Sequence, residues 1–211
     1  MNKQERTNKF ISHFSSSMPN AKTELEYKNV FELTVAVILS AQCTDKRVNI
    51  ITKNLFKELP TASKMANSSI DIIFNLIKCC SYPRNKAKHL LGMARMLIKD
   101  FNAKIPSNIE DLQKLPGVGR KTANVVGSVY FDIPAMPVDT HVFRVANRIG
   151  LTYKAKNPLQ AELQLLKLIP NDKLHIAHHW LILHGRYLCK ARKPECERCD
   201  ITMFCRYFSK M

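Results

Sequence analysis

Residues 115–126 read Leu-Pro-Gly-Val-Gly-Arg-Lys-Thr-Ala-Asn-Val-Val. Two glycines one residue apart, Gly117 and Gly119, permit backbone conformations and close approaches that a side chain would block. The run from Arg120 to Tyr130 reads as a helix, and Ser107 before NIEDLQKL reads as the start of another. The five residues 115–119 are too few for anything but a tight hairpin between them. Its amides, with the positive end of the following helix, make a site for a phosphate. Gly117, Val118, Gly119, Arg120 and Thr122 are therefore candidate phosphate contacts, and such contacts read no base sequence. Taken alone, the same five residues also suit a plain turn between packed helices.

Outward from the hairpin the pattern stays helical. Apolar residues recur at helical spacing at Val48, Ile51, Leu55 and Leu59, and at Ala87, Leu90, Leu91, Ala94 and Ile98. FELTVAVILSAQ, residues 31–42, is apolar nearly all round and reads as a central buried helix, with Gln42 at its end facing a cleft. Thr140 before HVFRVANRI, Gly150 after it, and Pro158 at a first turn mark further helix boundaries. No segment alternates as a strand, so the fold class is all-α.

The chain has 211 residues and 45% hydrophobic content, enough for a real core without disulfides. No stretch approaches the roughly 20 apolar residues of a spanning helix. The opening MNKQERTNKF lacks the apolar segment of a secretory signal, which leads us to expect a cytoplasmic protein. The formal charge is +16, from 33 Lys and Arg against 17 Asp and Glu. That excess favours a polyanionic partner, although Lys-, Asn- and Ile-rich composition alone could produce it.

Seven cysteines fall into two groups. Cys43, Cys79 and Cys80 lie in helical, apolar surroundings and read as small buried hydrophobes. Cys189, Cys196, Cys199 and Cys205 give C-x6-C-x2-C-x5-C, four soft ligands that suit either tetrahedral zinc or a four-iron cluster. Lys190, Arg192 and Lys193, between the first two ligands, would grip a phosphate backbone. His175, His178, His179 and His184 share one stretch, but Trp180 to Leu183 mark it as a buried helix rather than a metal site.

LPGVGRKTANVV resembles the helix-hairpin-helix of the endonuclease III family of DNA glycosylases, and VDTHVFRV, residues 138–145, resembles that family's second signature. HHWLILHGRYLC and the cysteine spacing after it resemble the family's [4Fe-4S] loop. The resemblance covers almost the whole chain and implies two helical lobes. One is a six-helix domain over residues 23–133, with the helix-hairpin-helix at about 107–130. The other is an iron-sulfur domain made of residues 1–22 and 134–211, with the active-site cleft between the two. It further implies that Lys121 is the nucleophile and Asp139 the catalytic carboxylate. A lysine attacks only when uncharged, which at neutral pH is on the order of one free side chain in a thousand. A helix N-terminus and Arg120 would both disfavour the ammonium of Lys121.

AQCTD, residues 41–45, matches a family segment whose glutamine fills the gap left by a flipped nucleotide, so Gln42 takes that role. Where relatives usually carry a glycine, a bulky apolar wedge and an aromatic residue, this chain has Ser81, Tyr82 and Pro83, with Tyr82 at the wedge position. Lys86 is expected on a phosphate, and His141 on DNA or the sugar. The implied partner is double-stranded DNA with damaged bases or abasic sites, and the implied cofactor a [4Fe-4S] cluster. The protein should act as a monomer that excises oxidised pyrimidines and cuts the strand by β-elimination. Two other readings compete: a non-catalytic helix-hairpin-helix DNA-binding protein, and an adenine-removing glycosylase of the same superfamily. The latter generally lacks the lysine and carries an added C-terminal domain.

Overall fold

The computed structural model describes residues 1–211 as eleven α-helices and three short 3-10 turns, with no strand. The chain divides into two units, Glu24–Phe131 and Met1–Thr23 with Asp132–Met211.

The Glu24–Phe131 unit is built around α2 (Val30–Ser40), in which every residue from Glu32 to Leu39 is buried. A carboxylate is tolerated there because Glu32 Oε2 accepts the Lys28 amide at 2.7 Å. Around α2 pack α3 (Asp45–Glu58), α6 (Pro83–Asp100) and α8 (Arg120–Tyr130); α4 (Ala62–Ala66) and α5 (Ile70–Ile77) pack on α6, and α7 (Ile109–Leu112) on α8. Seven helical segments thus lie in this unit where six were expected, α4 and α7 being little more than single turns. Thr44, Thr61, Ser69 and Asn108 each cap the helix that follows.

Three expectations need correction here. The helix expected from Ser107 is only Ile109–Leu112, and its cap is Asn108, whose Oδ1 accepts the Asp111 amide at 2.8 Å. The stripe of α6 runs through Leu97, while Ile98 is 42% exposed, because near the helix end only one of the two positions turns inward. Of the three scattered cysteines only Cys80 is buried; Cys43 is half-buried, and Cys79 is exposed in the turn after α5.

The other unit joins the two ends of the chain. Helix α1 (Lys3–Ser17) starts with a reciprocal cap between Asn2 and Glu5 and packs against α11 (Asn171–Tyr187), which also packs on α9 (Thr140–Ile149). Trp180, fully buried, donates its indole N–H to Met18 O at 2.8 Å and stacks on Phe14. Arg6 Nε donates to Phe204 O at 2.9 Å. Helix α9 buries Val142, Val145, Ala146 and Ile149 on one face and ends at Gly150. Helix α10 (Pro158–Leu166) has Asn157 as its cap and Pro158 at its first turn. After α11 the chain is irregular apart from the turns Cys196–Arg198, Thr202–Phe204 and Phe208–Lys210.

Candidate active site and cysteine loop

Both ends of the hairpin are anchored from below. Leu112, Leu115 and Val118 are buried, and the Val118 amide donates to Leu115 O at 3.0 Å. That amide is therefore occupied, which corrects Val118 from a phosphate contact to an anchor. Gly117 takes φ +82°, and a Cβ there would lie 2.8 Å from His89 Cβ. Gly119, in contrast, has φ −84° and caps α8 with no side chain, and a Cβ there would meet nothing within 4 Å. Arg120 and Lys121 are exposed on the first turn of α8 and Thr122 is half-buried, while Ala123 to Ser128 are all buried. Lys121 thus rises from a helix whose backbone is fixed by the buried run Ala123 to Ser128.

Asp139, in the other unit, caps α9: its Oδ1 accepts the Val142 amide at 2.8 Å. The cap is Asp139 and not Thr140, which is exposed. This fixes the carboxylate at the positive end of a helix, where negative charge is favoured. His141, half-buried, has its Nδ1 3.3 Å from Arg144 Nη2.

Gln42 and Tyr82 are both exposed and both in the left-handed region, at φ 56° and 51°. Lys86 behaves otherwise than expected. It is 6% exposed, and its ammonium donates to Leu39 O at 2.8 Å, Ala41 O at 2.6 Å and Ser81 Oγ at 3.1 Å. With all three protons in use, Lys86 has none for a phosphate. Burial pulls its affinity for the proton below the ordinary lysine value, opposed by Cys80 and Cys43.

All four C-terminal cysteines line a single cavity with Ile149, His184, Leu188 and Ile201, and none is in a disulfide. Two arginines of α9, missed in the sequence, hold this loop. Arg144 donates to Cys189 O at 3.1 and 3.2 Å and to Gly185 O at 2.9 Å. Arg148 donates to Lys190 O at 2.7 Å, Ala191 O at 2.9 Å and Cys189 Sγ at 3.4 Å, and lies over the Tyr207 ring. Their FRVANRI setting reads as a surface face, and only the spacing of four residues hints at a shared target.

His184 Nε2 lies 3.9 Å from Cys199 Sγ, and burial, then His13, holds its imidazole down to about 4. Burial, then the neighbouring cysteines, pushes the Cys196 thiol up; Cys199 is raised by burial and the other three cysteines, against a hydrogen bond from the Ile201 backbone. Four thiol side chains lining one cavity are a soft donor set that fits a metal group. No three His, Cys, Asp or Glu side chains are grouped to hold a single ion. The three positive charges of the loop are not all available either. Lys190 pairs with Glu195, which also takes Arg198 at 2.6 Å, while Arg192 and Lys193 are exposed.

A glycine hairpin opening a lysine-bearing helix, inside an all-helical chain, places the protein in the helix-hairpin-helix class. The model of the HhH-GPD superfamily of base excision DNA repair proteins matches residues 35–171. Endonuclease III of Rickettsia conorii is 51% identical over 201 residues, covering 95% of each chain. That of Escherichia coli K12 is 41% identical over 211 residues, covering 100% of this chain and 99% of the relative. A trapped endonuclease III–DNA covalent intermediate has TM-score 0.94 at 41% identity, covering 100% of this chain and 98% of that one. The chain belongs to the endonuclease III family of base excision DNA repair proteins.

Proposed function

We propose that Lys121 is the nucleophile of a base-excision reaction on double-stranded DNA. As a family member the protein is a DNA glycosylase with AP lyase activity. The observation that carries the reading is an exposed lysine on the first turn of α8, directly after a hairpin whose second glycine is bare. The uncharged amine attacks C1′ of a nucleotide turned out of the stack, and the C1′–N bond breaks as the base leaves with a proton. The C1′–O4′ bond then breaks as the remaining amine proton passes to O4′, opening the sugar ring and giving an imine between Nζ and C1′. With the imine as electron sink, a proton leaves C2′ and the 3′ phosphate departs by β-elimination. Water then releases Lys121.

Asp139 is the carboxylate that stabilises the positive charge developing on the sugar. The hairpin backbone, Arg120 and Thr122 engage phosphates, as do Arg192 and Lys193 of the cysteine loop. Gln42 and Tyr82 enter the duplex where the nucleotide has left, and His141 lies against DNA. A trapped covalent endonuclease III–DNA intermediate among the similar structures supports a covalent mechanism. Oxidised pyrimidines and abasic sites are the substrate class, and the protein works as a monomer on nucleoid DNA in a bacterial cytoplasm. No helix is long and apolar enough to cross a membrane.

Cys189, Cys196, Cys199 and Cys205 hold a [4Fe-4S] cluster. The C-x6-C-x2-C-x5-C spacing, which resembles the cluster loop of the family, supports a four-iron cluster over a single zinc. When bound, the cluster would cross-link the loop through these four cysteines.

Borohydride added during reaction with oxidised-pyrimidine DNA should trap the protein covalently, and Lys121→Ala should give no adduct. An adduct persisting in that variant would move the nucleophile elsewhere. The purified protein should be yellow-brown with about four irons; colourless protein with stoichiometric zinc would overturn the cluster assignment.

A further inference from the structure

Gln42 and Tyr82 hold left-handed backbone at φ 56° and 51° without being glycine. Such conformations persist only where the surroundings determine them. The residue before each is gripped by the same cation. Lys86 Nζ donates to Ala41 O at 2.6 Å and to Ser81 Oγ at 3.1 Å, and Ser81 Oγ donates to Ala41 O at 3.0 Å, closing a triangle of hydrogen bonds. The third ammonium proton goes to Leu39 O at 2.8 Å. A second tie runs alongside, from Arg47 Nη1 to Cys79 O at 3.2 Å.

Helix electrostatics explain why Lys86 reaches this way. It sits in the first turn of α6, where its own helix disfavours positive charge, and it meets the carbonyl end of α2, where positive charge is favoured. The result is a long, entropy-rich side chain held 6% exposed beneath two exposed loop tips. A surface phosphate ligand would not be built so.

We propose that Lys86 is a positioning residue: it clamps the loops ending in Ala41 and Ser81 into one rigid edge, so that Gln42 and Tyr82 enter the duplex as a pair. This rests on the reading of those two as the insertion residues. Two prongs on separate loops would otherwise each have to be ordered as the nucleotide leaves, and fixing them beforehand removes that cost from the extrusion step.

Ser81→Ala is the primary test, because it cuts the link between the loops and leaves Lys86 on its two α2 carbonyls. Lys86→Met removes the whole clamp. Extrusion is followed by stopped-flow fluorescence of 2-aminopurine opposite the lesion, and β-elimination is measured separately on a single-stranded abasic oligonucleotide, which needs no extrusion. Ser81→Ala should slow extrusion about tenfold or more, the effect of losing the two hydrogen bonds that Ser81 Oγ makes, and leave β-elimination within about twofold. Gln42→Ala and Tyr82→Ala should be non-additive in the parent and additive on the Ser81→Ala background, a change that a purely structural cap would not produce. Extrusion at parental speed in Ser81→Ala, or unchanged coupling, overturns the clamp. Parent protein that fails to cut the abasic oligonucleotide instead sinks the function reading beneath it. Should Lys86→Met fail to fold, Ser81→Ala and the coupling decide alone.

Discussion

Alanine at the two hairpin glycines should act in opposite ways, because the structure uses them differently. Gly117 has φ +82°, and its missing Cβ would stand 2.8 Å from the Cβ of His89, an atom that no rotamer change can move. Left-handed backbone in alanine costs about 1–2 kcal/mol, and overlap with a fixed atom adds about 1–3 kcal/mol. Lower entropy of the unfolded chain returns about 0.4–1 kcal/mol. Gly117→Ala should therefore destabilise by about 2–4 kcal/mol, a large share of the roughly 5–15 kcal/mol typical of folded domains. Gly119 has φ −84° and open space around it. Alanine there is a poorer cap by about 0.5–1 kcal/mol, which the same entropy gain of about 0.4–1 kcal/mol offsets. Gly119→Ala should leave stability within about 0.5 kcal/mol of the parent yet weaken DNA binding about tenfold, since a methyl now stands where phosphate approaches. Urea unfolding should be followed by far-ultraviolet circular dichroism, because the one tryptophan, Trp180, lies in the other unit. A Gly119→Ala protein that binds DNA as tightly as the parent would refute the hairpin as a phosphate site.

Two further substitutions separate structure from chemistry. Asp139→Asn preserves the α9 cap, since Asn and Asp cap equally well; unfolding should shift by less than about 0.5 kcal/mol while base release falls about 100-fold or more, and a matching loss of stability would reduce Asp139 to a cap. His179 is held down to about 2, first by burial and then by His178, His175 and Arg186, and its Nε2 has no partner. Below pH 6.5 the unfolded chain takes up a proton that the folded one refuses, so this site costs about 1.4 kcal/mol per pH unit as pH falls, and nothing above it. His179→Gln should flatten the fall in urea midpoint between pH 6.5 and 5 relative to the parent; parallel curves would show that the imidazole accepts its proton in the fold.

The helices and the hairpin were legible because their signals are local. The apolar run of α2 and the glycine pair leave few alternatives once chain geometry is imposed. The cap of α7 slipped by one residue, to Asn108, because Ser107-Asn108 offers two competent side chains in succession, and only the backbone decides which one reaches the third amide. Lys86 was illegible for a different reason. A lysine in the first turn of a helix reads as solvated, and what buries it, the Leu39 and Ala41 carbonyls, comes from more than forty residues away. Cys79 misled for the converse reason: apolar neighbours in sequence do not cover a residue in the turn that ends their helix.

Formal charge overstates what this protein offers a polyanion. Lys86 is turned onto carbonyls at the end of α2, Arg144 and Arg148 onto carbonyls of the cysteine loop, and Lys190 and Arg198 share Glu195. Each unit thus uses buried or half-buried cations to fix a loop that has no regular structure of its own: the α2 end in one, residues 189–191 in the other. A guanidinium suits the longer loop, because its forked donors reach two carbonyls and a sulfur at once. An ammonium suits the shorter one, where three acceptors surround a point. The +16 of the sequence is thus partly internal scaffolding. The steepness with which salt weakens DNA binding reports phosphates contacted rather than charges carried, so it should fall short of what the total charge implies.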